Sequence, residues 1–286
     1  MRGGRLVIGR ALFQCRRARR DRRDRLPILH DTLPFHVWMD PRLNRLPGMS
    51  PLDMDDWLRI DEAYGPQMAE RERLIATHPE LVHALLPRAG EAARELHEMI
   101  AARLPAMGFE QHDGTWICPD GRRVIDDPKA PLLTLGRLVQ EDLCLLQPGP
   151  DGSHVLTGAI LCFPASWTLS QKIGRNLLGI HTPVDVYDDN IAARVQRLFD
   201  AIRPERPLWR ANALDYADPA LFQPRREGEV KPTGSGEKAY IRSERQCLLR
   251  LPQTGAVVFS IHTYQVHRAS LAPDVEAAFR ARAHSA

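Results

Sequence analysis

Alternating apolar and polar residues predict a pair of long β-strands near the C-terminus. The two strands cover residues 238–251 and 255–267, and the short polar stretch between them predicts a tight turn. Similar runs predict strands over 133–146 and 154–163, separated by a turn rich in proline and glycine, and a further strand over 208–216. Consecutive strands joined by tight turns favour an antiparallel sheet.

Helical periodicity is found between these strands and before them. Residues 91–104 place apolar side chains every three to four positions, as an amphipathic helix does. Residues 77–80 form a capping-box pattern that predicts the start of a helix. Two more helices are predicted between the second and third strands, one over 170–178 and one from Asp189 to the residue before Pro204. Helices inserted as one block predict an α+β fold.

Charge and composition divide the chain into segments. The net charge of +3 arises in residues 1–26, which hold ten arginines and two aspartates, so the remaining chain is mildly acidic. We expect 1–26 to be a disordered tail, a basic arm, a targeting peptide or an artefactual extension. The acidic body argues against a nucleic-acid-binding protein. We predict one domain over 27–271, in which 27–114 wraps a core of 115–271 and is pinned by aromatic side chains, and a tail over 272–286.

Several kinds of site are excluded because their motifs are absent. The five cysteines include no C-x-x-C pair, which argues against a zinc ribbon, a cysteine-ligated iron–sulfur cluster and covalent haem attachment. No nicotinamide or flavin fingerprint occurs. The longest uncharged run, 152–171, is too polar for a transmembrane helix. Unpaired cysteines in apolar runs are typical of a reducing compartment, so we expect a cytoplasmic protein that does not bind a membrane.

His181 is the first candidate site residue. It lies among apolar residues just before Thr182 and Pro183, and the proline restrains the backbone to an extended form. A rigidly held histidine can present one ring nitrogen to a metal or to haem iron. The alternative is a half-buried histidine bonded to a carbonyl group. His154 and His262 are further possible ligands, although neither has a neighbour at metal-ligand spacing.

Arg245 is the second candidate. Strand alternation places it on the more apolar face of 240–251, and a buried arginine needs an anionic partner. That partner is either a bound carboxylate or haem propionate, or an internal acid such as Glu141 or Asp142. The two acids are adjacent, so in a strand only one of them can point to the core side. An acid in that place could pair with Arg245 or bind a cationic amine.

Five segments of the chain together resemble one known family. In chain order they are EDLCL (141–145), GAILCFP (158–164) with Trp167, IHTPV (180–184), SERQCLLRLP (243–252) and FSIHTY (259–264). This set resembles the haem-dependent oxidative N-demethylase alpha-subunit family, and the resemblance extends from about Pro34 to Leu271. The set of segments carries the resemblance, since no single segment is specific.

The resemblance implies a fold and a reaction. The fold is a PAS-like antiparallel sheet with helices on one face, which holds a b-type haem. The reaction is the oxidation of a small secondary amine, such as dimethylamine, to a primary amine and formaldehyde by O₂. Electrons would come from separate reductase components that carry FMN and a [2Fe–2S] cluster, and ultimately from NAD(P)H. The absence of flavin, nicotinamide and iron–sulfur motifs in this chain fits a haem subunit that depends on a reductase.

The resemblance also implies roles for individual residues. His181 is expected to be the axial haem ligand and therefore the metal-binding residue. Arg245, with Arg210 behind it, is expected to contact a propionate or to line the pocket. The candidates for the amine pocket are Glu141, Asp142 and Tyr264.

Two departures from the family pattern leave alternatives open. Asp185 stands where many members have proline, and His262 stands where they have a basic residue. His262 and His154 are therefore rival ligands to His181. Two other functions compete with amine oxidation: a non-catalytic sensor of haem or of a small ligand on the same core, and a scaffold protein without haem.

Overall fold

The computed structural model describes four stretches of the chain, 26–44, 48–181, 189–229 and 237–282. The side chains of His181 and of residues 189–194 are outside this description. Asp185 and the arginine-rich segment up to residue 25 also lie outside the described residues.

Short strands and helices come first in the chain, and the long strands follow. The strands are β1 (Ser50–Pro51), β2 (His83–Leu85), β3 (Glu110–His112), β4 (Thr115–Ile117), β5 (Arg123–Ile125), β6 (Asp142–Pro148), β7 (His154–Ile160), β8 (Leu208–Tyr216), β9 (Tyr240–Arg250) and β10 (Val257–His267). The α-helices are α1 (Tyr64–Thr77), α2 (Pro79–Val82), α3 (Gly90–Ala101), α4 (Pro131–Leu138), α5 (Leu169–Lys172), α6 (Leu177–His181), α7 (Asp189–Ala201) and α8 (Pro273–Arg282).

Seven of the strands form one antiparallel sheet in the order β1-β8-β9-β10-β6-β7-β2. The strands β3, β4 and β5 form a separate small sheet. With helices before, between and after the strands, the predicted α+β class is confirmed. The predicted elements α3, α7, β8, β9 and β10 are confirmed to within a few residues at each end.

The register across the large sheet defines two faces. Arg245 of β9 lies opposite His262 of β10 and Ala211 of β8, so these side chains share one side of the sheet, which we call face A. Arg210 of β8 lies opposite Gln246 of β9, and both point to the other side, which we call face B.

Helices cover both faces of the sheet. On face A, α1, α3 and α4 contribute buried side chains to one core together with Leu145 of β6. On face B, α5, α6 and α7 contribute Leu169, Leu177 and Phe199 to a second core together with Leu146. The core helices predicted between the second and third strands lie together on face B, and the predicted helical segment 27–114 supplies α1 and α3 on face A. Only α4 on face A was not predicted. Strand β6 is apolar on both sides, so each side needs a cover.

Three local predictions were wrong. The predicted strand over 133–146 is α4 followed by β6, because short apolar runs do not distinguish a helix from a buried strand, and Pro131 starts the helix. The helix start predicted at 77–80 is found, since α2 begins at Pro79, but the predicted Thr77 cap was wrong: His78 is the N-cap. Thr77 instead ends α1, and its hydroxyl donates to the Arg73 carbonyl at 2.6 Å. The predicted helix over 170–178 is split into α5 and α6, with Gly174 between them at a φ of +79°.

Aromatic side chains fasten the segment before α1 and the helix after β10 to the body. Trp57 is fully buried, and its indole N–H donates to the Ser260 hydroxyl at 2.9 Å. Trp38 donates to the Val275 carbonyl of α8 at 3.0 Å and packs against Phe279. No helix within the described stretches has the length and apolar character needed to cross a bilayer.

Candidate functional site

Strand β10 places His262 and Tyr264 side by side on face A. Their ring centroids are 4.6 Å apart, as alternation along one strand allows. The irregular segment before α1 brings Arg59, Asp61 and His30 to the same place. The sequence gives no indication of these three residues, because the segment that carries them has no periodic pattern.

A continuous hydrogen-bond network joins these side chains. Oδ2 of Asp61 is 2.8 Å from Nε2 of His262 and 2.9 Å from Nε2 of His30. Nδ1 of His262 is 2.9 Å from Oε1 of Glu141, which also accepts from the backbone N–H of Arg59 at 3.0 Å. We call His30, Asp61, Glu141 and His262 the His–carboxylate cluster.

His262 is positively charged in this cluster. Both of its ring nitrogens face a carboxylate oxygen, so both must donate, and only the imidazolium can do so. Burial lowers the pKa of His262, but the hydrogen bonds to Asp61 and Glu141 outweigh burial and hold the pKa above its ordinary value. Burial raises the pKa of Asp61, but the two histidines outweigh it and hold that pKa well below its usual range.

The cluster also has the composition of a metal site with two histidines and one carboxylate. The donor atoms of His30, Asp61 and His262 all lie within 4.8 Å of one another. The tautomer of His30 argues against this role. Its Nδ1 accepts a hydrogen bond from the Gln265 N–H at 3.2 Å, so the proton of the neutral ring is on Nε2, which faces Asp61. A histidine that binds a metal through Nε2 donates a hydrogen bond from Nδ1, whereas Nδ1 of His30 accepts one. We therefore interpret the cluster as a hydrogen-bond network between histidines and carboxylates and not as a metal site.

A cavity of about 390 Å³ lies beside the cluster and is lined by His30, Arg59, Asp61 and Tyr264 among others. Burial raises the pKa of Tyr264 to about 12, so its hydroxyl is protonated, and it accepts from Arg59 at 3.1 Å. Both oxygens of Asp61 already accept hydrogen bonds. The cavity is near the lower end of ligand-pocket volumes, which suits a small polar molecule rather than a macrocycle.

Asp142, another predicted amine contact, lies in a different environment. It forms an ion pair of 2.7 Å with Arg71, and both side chains are buried. It also accepts from the backbone N–H groups of Cys162 at 2.6 Å and Phe163 at 2.9 Å. These contacts join α1, β6 and the chain after β7. The structure does not bring Asp142 to the cavity that Tyr264 lines.

Arg245 is buried on face A, but its predicted internal partner was wrong. The partner is Asp56, at 3.0 Å, and not Glu141 or Asp142. A second donor of the guanidinium bonds to the Trp57 carbonyl at 3.0 Å. Asp56 precedes Arg245 by 189 positions, so no local pattern in the sequence indicates the pair.

Face B has a different chemistry, and Arg210 is its central charge. The Nε atom of Arg210 is buried and has no hydrogen-bond partner among the described residues. Burial lowers the pKa of Arg210, and the charge of Glu244 opposes that effect. Glu244 is itself paired with Arg242 at 3.1 Å. Since Arg210 and Arg245 point to opposite faces, they cannot contact the same part of one bound group.

An apolar core lies on the same face of the sheet as Arg210. Leu248 and Phe259 belong to the sheet, and Leu177 and Phe199 come from α6 and α7. His181 is the last residue of α6, so its backbone lies at the edge of this apolar layer.

A family model matches residues 48–283, which include every strand of the large sheet and most of both cores. The model describes haem-dependent oxidative N-demethylase, alpha subunit-like proteins. The chain belongs to this family. His30 lies outside the matched region, whereas the other three residues of the His–carboxylate cluster lie within it.

The N-demethylase family is named for its dependence on haem, and the residues of face B fit that group. A haem needs an apolar wall for the macrocycle, cations for its propionates and an axial ligand for its iron. Face B has an apolar layer, an arginine without a described partner and a histidine at the end of α6. On face A the corresponding cation, Arg245, is already paired with Asp56.

The two rival histidines differ in their hydrogen bonds. Nδ1 of His154 is 3.0 Å from the side-chain amide nitrogen of Gln196, whose orientation is fixed because its oxygen accepts from the His154 N–H. Burial lowers the pKa of His154, and its Nε2 is buried without a hydrogen-bond partner among the described residues. His262 donates from both nitrogens. His262 therefore offers no free ligand atom, whereas His154 does and stays a rival to His181.

Proposed function

We propose that this protein is a haem-dependent oxidoreductase that demethylates a small secondary amine, such as dimethylamine, to a primary amine and formaldehyde. The observation that carries the proposal is the family match over residues 48–283. O₂ would be the oxidant. Electrons would come from partner reductase components carrying FMN and a [2Fe–2S] cluster, and ultimately from NAD(P)H, in keeping with a family described as alpha subunit-like.

The strand order supports a PAS-like core for this reaction. The five central strands follow the order β8-β9-β10-β6-β7, and α5, α6 and α7 lie in the chain between β7 and β8. These inserted helices pack on face B. A bound haem would accordingly lie on face B, between the sheet and the inserted helices.

The residues of face B would then have separate roles. Arg210 would pair with a propionate, which would supply the anion that this half-buried side chain lacks among the described residues. His181 would be the axial ligand, and Leu248 and Phe259 would exclude water from the macrocycle. When bound, the haem would supply the O₂ and electron chemistry that oxidises the C–H bond beside the amine nitrogen.

The amine site has two alternative positions. Dimethylamine is protonated near pH 7, so the protein must provide an acceptor or favour the neutral amine. Glu141 and Tyr264, which the family resemblance suggests, point to face A, so an amine that contacts them cannot reach a haem on face B. Glu244 lies on face B and influences Arg210 electrostatically, so it is the carboxylate that we favour as the acceptor.

The function is tested by reconstituting the purified full-length protein with haem. We expect a Soret band that shifts when secondary amines are added, and formaldehyde release when a reductase is supplied. His181→Ala should abolish or alter the axial-ligand spectrum, whereas His112→Ala, at an exposed histidine of β3, should not. A stable haem spectrum without any response to amines would favour the sensor alternative. A protein without a Soret band after reconstitution would overturn the proposal.

A further inference from the structure

Lys172 is a buried lysine whose contacts do not belong to the hydrophobic core. Only 4% of its surface is exposed, and lysine is rarely buried to this extent unless it is paired. Its ammonium group is 2.6 Å from Oε1 of Glu227, and it also donates to the backbone carbonyl of Ile180. Lys172 therefore joins three parts of the chain: α5, α6 and the segment after β8.

The contact with Ile180 lies at a structurally weak place. Helix α6 has five residues, and a helix of this length has little stability of its own. The carbonyl groups of its last turn have no partner within the helix and form the negative end of its dipole. A buried ammonium satisfies one of those carbonyls directly before His181. The backbone position of residue 181 thus depends on the hydrogen bond between the Lys172 ammonium group and the Ile180 carbonyl.

Glu227 is itself held by several contacts. Arg175 donates to both carboxylate oxygens of Glu227, at 3.0 and 3.1 Å. The backbone N–H of Glu227 donates to the side-chain oxygen of Gln171 at 3.0 Å. Nearby, the Thr168 hydroxyl donates to the Arg225 carbonyl at 2.8 Å. The segment that carries Glu227 is therefore fastened to the chain around α5, and Glu227 can act as a fixed anchor for the lysine.

We propose that Lys172, anchored by Glu227, is a positioning residue that fixes the C-terminal end of α6 and with it His181. This inference rests on the proposed role of His181 as the axial ligand. Lys172 does not contact the haem in this proposal, and it acts only through the backbone of α6. Groups that orient a metal ligand typically change metal affinity by about 10- to 100-fold when they are removed.

The test compares variants of the haem-loaded full chain. Lys172→Met should raise the rate of haem transfer to an acceptor protein by about 10- to 100-fold and change the axial-ligand signature in absorption and electron paramagnetic resonance spectra. Lys172→Arg, which keeps the cation, should restore most of that signature. Arg42→Met is the control, because Arg42 is an exposed arginine that pairs with Asp40 and contacts neither Glu227 nor Ile180, and it should leave the signature unchanged.

A second measurement on haem-free protein separates this inference from the proposed function. Hydrogen exchange of the Ile180 amide, which donates to the Asn176 carbonyl at 2.9 Å, should become faster in Lys172→Met and in the milder Glu227→Gln, but not in the control Arg42→Met. Wild-type protein that binds no haem would overturn the proposed function, and the exchange rates would still test the contact. A wild-type protein that binds haem, with an unchanged ligand signature in Lys172→Met, would overturn the positioning role alone.

Discussion

The two faces of the large sheet differ in how their arginines are paired. Arg245 on face A has an ion pair with Asp56, although its Nε and Oε2 of Glu141 lack hydrogen-bond partners, whereas Arg210 on face B has no ion pair with a described residue. On face A, His262 lies between Asp61 and Glu141, and Arg245 is paired with Asp56. On face B, the Nε atom of Arg210 has no described partner. Buried polar groups in native proteins are rarely left without a partner, so Arg210, which lacks an ion pair with any described residue, is the arginine better placed to receive an anionic ligand.

The comparison also shows that a dense cluster of titratable residues need not be a reaction centre. The His–carboxylate cluster contains two histidines and two acids beside a cavity, which is the composition expected of an active site. Its hydrogen bonds instead join the segment around His30 and Asp61 to β10 and to the residue before β6. We interpret it as an internal anchor for the chain before α1.

The largest effect is expected when the charge of the face A cluster is unbalanced. His262→Ala leaves the carboxylates of Asp61 and Glu141 buried without their cation, which should lower the free energy of unfolding by about 3–5 kcal/mol. Denaturant titration measures this change. Thr32→Ala, at an exposed residue of the cavity wall, is the control and should stay within about 0.5 kcal/mol of wild type. A similarly small change in His262→Ala would contradict the anchor interpretation.

A substitution on face B should affect haem binding and leave the stability of the haem-free protein nearly unchanged. Arg210→Gln should weaken haem binding by about 1.5–3 kcal/mol, because a charge-assisted bond to a propionate is lost, with little change in the unfolding of haem-free protein. Arg245→Gln is the matched variant on face A and should destabilise the haem-free protein by a similar amount while haem affinity stays constant. Haem titration and denaturant unfolding of both variants measure these effects. If Arg245→Gln weakens haem binding and Arg210→Gln does not, the haem binds on face A and the assignment to face B is wrong.

The pH dependence of stability should identify the imidazolium of face A. Because the pKa of His262 is raised in the folded protein, its contribution is fully present below its unfolded pKa of about 6.5 and is lost as the pH rises through the folded value. Asp61 has a lowered pKa, so its contribution is lost only in acid. We expect wild-type stability to fall by about 1.4 kcal/mol per unit of pKa elevation above pH 6.5. His262→Gln should remove this decline, and parallel profiles of the two proteins would refute the prediction.

The smallest effect is expected at Tyr264. Tyr264→Phe removes the hydrogen bond from Arg59 and should cost about 1 kcal/mol of stability, with no change in the spectral response to amines. Glu244→Gln on face B should weaken that response instead. If Tyr264→Phe abolishes the response and Glu244→Gln does not, the amine binds on face A, as the family resemblance suggests.

The sequence predicted the long strands well because their pattern is local. Alternation over β9 correctly assigned Arg245 to a buried face, and the same alternation on β8 separates it from Arg210. The helix α4 was read as a strand because a short apolar run carries no information about its period. The face covered by each helix could not be predicted for a similar reason, since a strand that is apolar on both sides does not show which helices lie against it.

The partners of charged residues could not be predicted from the sequence. Asp61 is separated by 201 positions from His262 and by 31 positions from His30, and all three meet through the tertiary fold. Lys172 and Glu227 are 55 positions apart, and only Lys172 lies in a segment with a regular pattern, the helix α5. The family resemblance indicated which segments matter, but the roles of His181, Glu141, Asp142 and Tyr264 stay predictions that only experiments on the loaded protein can test.

The strand order has a consequence for how the chain folds. Strand β6 pairs with β7, the next strand along the chain, and on its other edge with β10, so that Leu143 lies opposite Ser260. Until β10 leaves the ribosome, one edge of β6 has no partner, and open edges promote pairing with other chains. Contacts of such sequence separation also slow folding. A fragment that ends before Val257 should therefore aggregate rather than form a smaller stable domain.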